Sequence, residues 1–110
     1  MRWWSEAMGK KAKSKTCLHL VVRSSAELVQ RCGAFSKEGD AVLFVDDGVM
    51  WLAAANIGEE PPFACSSMFL AADLQARGLL AVAHDLQVRV VTDQEFPDLL
   101  RKHATCLTWK

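Results

Sequence analysis

The chain has 110 residues, about half of them apolar, with thirteen basic and thirteen acidic side chains. That length holds one domain with one core and leaves none for a second. A near-zero net charge gives little electrostatic protection against association, which suits a subunit of an assembly better than a free monomer. The charge is nonetheless uneven: residues 1–16 carry Arg2, Lys10, Lys11, Lys13 and Lys15 against Glu6 alone. No window approaches the ~18 apolar residues of a membrane span. The opening MRWWSEAMGKKAKSKT also lacks the apolar stretch of a secretory signal, so a cytoplasmic protein is expected. Cys17, Cys32, Cys65 and Cys106 would then be reduced. They form no CxxC pair, and His19, His84 and His103 add no finger-like spacing, so neither a structural zinc site nor a cofactor is expected.

Residues 1–16 are polar and basic and are read as a disordered arm, with Trp3-Trp4 its one odd feature. An arm that stacks aromatics on RNA is the alternative use of that segment. Cys17 to Arg23, mostly apolar and β-branched, predicts a first strand buried on both faces, with His19 a satisfied histidine within it. Ser24-Ser25 can cap a helix from Ala26 to about Ser36, whose Leu28, Val29, Cys32 and Phe35 recur at offsets of three and four and share the sheet-facing side. Lys37-Glu38-Gly39-Asp40 is the return turn. The run Ala41–Val45 is the central strand, and Asp46-Asp47-Gly48 ends it, with an Asp placed to cap a helix beginning near Gly48.

Asn56 to Pro62, with two successive prolines, is the longest loop. Ser66–Ala71 is the third strand, followed by a short helix or turn closed by Gly78. Leu79–His84 is open between helix and strand. Val88–Val91 is the fourth strand. Thr92 or Asp93 caps a helix from Gln94 to Lys102 that carries Phe96, Leu99, Leu100 and His103 on one stripe, and Cys106–Trp109 is a last short strand. Alternating strands and helices with short connections predict an α/β domain, a single three-layer unit over residues 17–110, with a mostly parallel sheet of about five strands and helices on both faces.

Motif chemistry is sparse. There is no Walker loop, no GxGxxG and no GxSxG. Asp46 and Asp47 are adjacent carboxylates at a strand's carboxyl end, where a cation could sit, but no third acidic ligand is evident and no metal site is assigned. None of the four cysteines has the position a reactive thiolate wants, at a helix N-terminus or beside a cation.

Five ordered blocks carry a resemblance: LHLVVRSS at Leu18–Ser25, EGDAVLFVDDGV at Glu38–Val49, DLQARGL at Asp73–Leu79, VVTDQEF at Val90–Phe96 and the terminal Thr108-Trp109. Together they resemble the DsrH/TusB family of sulfur-relay proteins, over roughly residues 17–110. The resemblance implies a DsrEFH-like fold and membership in a heterohexamer with TusC/DsrF-like and TusD/DsrE-like subunits. Such complexes pass persulfide sulfur to a TusE/DsrC-like acceptor, toward 2-thiolation of the tRNA wobble uridine or toward sulfur oxidation. The sulfur-carrying subunits of this kind have a cysteine eight residues before the glycine of an RG pair. Here that position is Leu70, so the resemblance implies a subunit without catalytic activity of its own. Cys32 matches a cysteine that some DsrH-type members carry in the first helix, which makes it the one candidate for an auxiliary sulfur site. A stand-alone homo-oligomeric sulfurtransferase using Cys32 is the alternative. Met50-Trp51 departs from the family pattern, and Asp46, Asp47, Met50, Trp51 and Trp109 are the expected interface residues.

Overall fold

Five apolar runs become five parallel strands because each is flanked by a turn that sends the chain back across the sheet. The computed structural model describes residues 14–53 and 63–110. Most of the basic arm, with Trp3-Trp4, and the expected Asn56–Pro62 loop lie outside the described residues. In chain order the elements are β1 (Ser14–Val21), α1 (Ala26–Phe35), β2 (Ala41–Phe44), a 3-10 helix (Asp46–Ala53), β3 (Ser66–Leu70), α2 (Ala71–Ala76), α3 (Leu80–Asp85), β4 (Val90–Val91), α4 (Phe96–Lys102) and β5 (His103–Trp109). The sheet order is β4-β3-β2-β1-β5, with every pairing parallel. The expected α/β class, a single domain with a five-stranded sheet, is the one observed.

Side chains alternate between the sheet's two faces, and the two cores follow that alternation. One face gathers Val21, Val42, Phe44 and Phe69 under α1, the 3-10 helix, α2 and α3, with Leu28, Val29, Cys32, Leu52 and Leu74 closing over them. Phe44 is fully buried there. It stacks on Phe69 with ring centroids 4.8 Å apart and on Trp51 at 6.4 Å. The other face holds Leu18, Ala41, Leu43, Met68 and Val91, against which Phe96 and Leu99 of α4 pack. Among the described helices α4 alone supplies side chains to that second core, and Leu20, Val45 and Leu70 stay only half-buried.

Several boundaries differ from the sequence reading, each for a tertiary reason. β1 begins at Ser14, so residues 14–16 of the expected arm are strand; pairing of Ser14 with His103 across the sheet supplies backbone partners that local propensity does not. Ser25 caps α1 as expected, accepting from the Leu28 N–H at 3.3 Å. Phe35, expected on the buried stripe, is 60% exposed; its ring packs edge-on against Trp109 at the sheet's outer strand, 5.8 Å away. The open segment before His84 is helix, within α3. The turn leading into the last helix is held by Thr92 and Glu95: Thr92 Oγ1 accepts from Glu95 N–H while Glu95 Oε1 accepts from Thr92 N–H, the reciprocal pattern of a capping box, one turn ahead of the helix start at Phe96. His103 is no part of that helix stripe. It opens β5, which is seven residues long rather than four.

Candidate functional site

At the carboxyl ends of the strands, β2 runs into Asp46, whose φ of 52° is one of the few left-handed conformations here outside glycine. Asp tolerates that region better than most residues because its short side chain finds local hydrogen bonds. The Asp46 N–H donates to Asp73 Oδ2 at 2.6 Å. Arg77, one turn beyond Asp73, donates through Nη2 to Asp46 Oδ1 at 2.9 Å and to Asp47 Oδ1 at 2.8 Å. The aspartates expected to cap a helix are thus engaged by a guanidinium thirty residues downstream, and the segment after them is a 3-10 helix that starts at Asp46. Both carboxylates remain 72% exposed, so these pairs are screened by water and mainly position the 3-10 helix against α2. Leu70, the last residue of β3, ends at the same rim. Three carboxylates against one guanidinium leave this rim negative.

A second polar cluster lies inside the sheet, towards the amino ends of β1 and β2. Asp40 is nearly buried and accepts three hydrogen bonds, from the backbone N–H groups of Cys17 and Lys37 and from His19 Nε2. His19, wholly buried in β1, uses its other nitrogen, Nδ1, to accept from the Trp109 indole N–H at 3.0 Å. The chain Trp109→His19→Asp40 is therefore directional, each donor facing an acceptor, with a neutral imidazole in its centre whose tautomer the two neighbours set. Burial pushes the Asp40 carboxyl up, but the bonds from His19, Cys17 and Lys37 outweigh it and hold it below 3.8. His103, bonded through Nδ1 to Thr16 Oγ1 at 2.6 Å, is lowered below its usual 6.5 by burial.

The thiols are poorly placed for chemistry. Cys32 is fully buried in α1, and burial, followed by the neighbouring Cys65, Cys17 and Asp40, pushes it up to about 12. At pH 7 it is held almost entirely as the thiol. Cys65 and Cys106 are also raised, each chiefly by burial of the sulfur. With a large excess of iodoacetamide under native conditions, Cys106, exposed on β5, is expected to alkylate first and Cys32 only on unfolding; peptide mass mapping over time checks the order. Native labelling of Cys32 at a rate comparable to Cys106 would contradict its placement in the core.

Of the sequence-selected residues, Asp46 and Asp47 come together at the rim, and Met50 is exposed nearby. Trp51 is half-buried and stacks on the core through Phe44. Trp109 lies at the far edge of the sheet, half-buried, tied to His19 and Phe35. Sequence reasoning missed Arg77 and Asp73 as partners of Asp46, although their four-residue spacing on a helix was a visible signal. It also missed Asp40, which stood in a turn with nothing local to mark it as the acceptor for a strand histidine. Among the described residues no cluster of three or more His, Cys, Asp or Glu has the arrangement to hold a metal ion, and no helix is long and apolar enough to cross a membrane.

No curated protein matches the chain. Across protein families, α1, strands β2 to β4 and the strand-tip rim fall within a match to the DsrH-like proteins that spans residues 23–106. With that much of its length matched, the chain belongs to the DsrH-like family.

Proposed function

We propose that this chain is a non-catalytic subunit of a cytoplasmic sulfur-relay complex of the TusBCD/DsrEFH kind, assembled with TusC/DsrF-like and TusD/DsrE-like subunits. The complex passes persulfide sulfur to a TusE/DsrC-like acceptor, in tRNA wobble-uridine 2-thiolation or in sulfur oxidation. The observation that carries this reading is Leu70. In the relay reaction a thiolate attacks the outer sulfur of a persulfide, the S–S bond breaks and the donor leaves as a thiolate, so the receiving subunit needs an accessible nucleophilic sulfur. At the tip of β3 this chain offers a half-buried aliphatic side chain instead. The surroundings agree: Asp46, Asp47 and Asp73 would repel a thiolate at that rim, whereas a reactive cysteine wants positive neighbours. Burial of Cys32 weighs against a stand-alone sulfurtransferase.

Incubating the isolated chain with a persulfide donor is expected to leave its intact mass unchanged, without the gain of about 32 Da that one added sulfur brings. Co-expression with DsrE-like and DsrF-like subunits is expected to yield a larger complex by sizing. Stoichiometric sulfur uptake that disappears in Cys32→Ser would favour the sulfurtransferase, and a chain that ignores such subunits would count against the relay.

A further inference from the structure

β5 is the longest outer strand of the sheet and, among the described residues, pairs only with β1. Trp109 turns its carbonyl inward to accept from Val22 N–H at 3.2 Å. By the alternation of strand backbone, the N–H and C=O groups of Ala104, Cys106 and Thr108 then point away from the sheet. Residues Ala104 to Thr108 are all exposed. Soluble proteins guard such an edge with charges, prolines, bulges or extreme shortness. Over seven residues β5 carries no proline and no Asp, Glu, Lys or Arg, and its one bulge lies on the β1 side, between Ser14 and Cys17.

The side chains beside this edge are equally unguarded. Leu107 pairs with His19 and Trp109 with Val21, which puts both on the face covered by α1. α1 covers them only in part: Trp109 is half-buried, Leu107 is 40% exposed, and Phe35, in edge contact with Trp109, is exposed as well. Phe, Leu and Trp side by side, next to backbone that no other described strand pairs, make the composition of an interface centre rather than of a free surface.

Charge decides among occupants. Exposed Lys102 and Lys110 bracket the strand. A second copy pairing antiparallel through β5 would lay Lys102 against the other Lys110; pairing parallel, it would lay each lysine against its own counterpart. Like charges opposite one another are unfavourable in either direction. We infer that β5 is a docking edge for an extended strand of a non-identical subunit, apolar at alternate positions to meet Leu107 and Trp109 and bounded by acidic residues that meet Lys102 and Lys110. The inference rests on the relay-subunit reading, since it assigns that assembly's contact to this edge.

The test uses the full chain co-expressed with TusC/DsrF-like and TusD/DsrE-like subunits. Thr108→Pro removes an outward N–H without touching a bond to β1, and edge strands tolerate proline. Thr108→Pro and Leu107→Asp are each expected to weaken assembly about 30-fold or more, the scale of an interface hot spot. Lys102→Glu with Lys110→Glu should weaken it about tenfold, with a smaller penalty at high salt. In the wild-type complex, amide exchange at Ala104, Cys106 and Thr108 should slow relative to the free chain, which tests the idea even if a variant fails to fold. Wild-type assembly with unprotected amides, or folded edge variants that assemble normally, would overturn the edge assignment alone. A wild-type chain that dimerises by itself through β5 would overturn the choice of partner. A wild-type chain that does not assemble with these subunits would sink the relay reading and this inference with it.

Discussion

Asp40→Ala is expected to destabilise the protein by about 3–5 kcal/mol, because it strips the shared acceptor from three donors, one of them the wholly buried His19. The N–H groups of Cys17 and Lys37 and the Nε2–H of His19 all end on this one carboxylate, at 2.9, 3.1 and 2.9 Å. They join β1, the turn after α1 and the start of β2, so no small shift can rehydrate them together. Asp40→Asn tests direction rather than presence. Its oxygen can keep the Cys17 bond, but its NH₂ then faces the His19 and Lys37 donors. A flipped imidazole tautomer does not rescue the arrangement, since Nδ1 must stay an acceptor for Trp109. Urea denaturation gives the loss, and the Trp109 indole N–H resonance should move in both variants. A stable Asp40→Asn protein with that resonance unmoved would show that the relay of donors is dispensable. The same carboxylate contributes an acid limit: with its folded pKa held below 3.8, its contribution is full above the unfolded value and is lost as pH falls through the folded one. The wild type should therefore lose a stability component below about pH 4 that Asp40→Asn lacks.

Gly48→Ala is expected to cost about 3 kcal/mol through overpacking. A Cβ at Gly48 would lie 2.0 Å from the Val21 carbonyl oxygen and 2.9 Å from its carbon. That carbonyl already accepts from Val45 N–H at 3.0 Å, so relieving the clash breaks the last bond between β1 and the segment leaving β2. The obstacle is backbone, which cannot swing aside as a side-chain end would. Gly78 supplies the contrast: its φ of +67° disfavours a side chain, but a Cβ there meets nothing. Gly78→Ala should thus cost only about 1–2 kcal/mol, the left-handed penalty alone. Thermal melts of the two variants check the ranking. Equal losses would mean that backbone conformation, not contact at the strand tip, explains Gly48.

Gly48 and Arg77 together shape the strand-tip rim of this DsrH-like protein. Gly48 lets the 3-10 helix close over β1, and Arg77 gathers Asp46 and Asp47 beside the end of β3. The rim is built and charged, and Leu70 ends β3 beside it.

How far the chain could be read depended on the range of each signal. Ala41–Phe44 declared itself a buried strand because four consecutive apolar side chains have no other stable use between two turns. Ser25 and the Thr92–Glu95 pair declared helix starts because caps act within three residues. Alternation of such elements settled the fold class and, with the five family blocks, the family. The roles of Asp46, Asp47, Asp40 and Trp109 were decided only by the folded sheet. Arg77 meets Asp46 across 31 positions and Trp109 meets His19 across 90, and those pairings exist because strand order and register bring the residues together. Local physics reaches about one turn of chain, and a polar group's partner in a parallel sheet is chosen by which strands become neighbours.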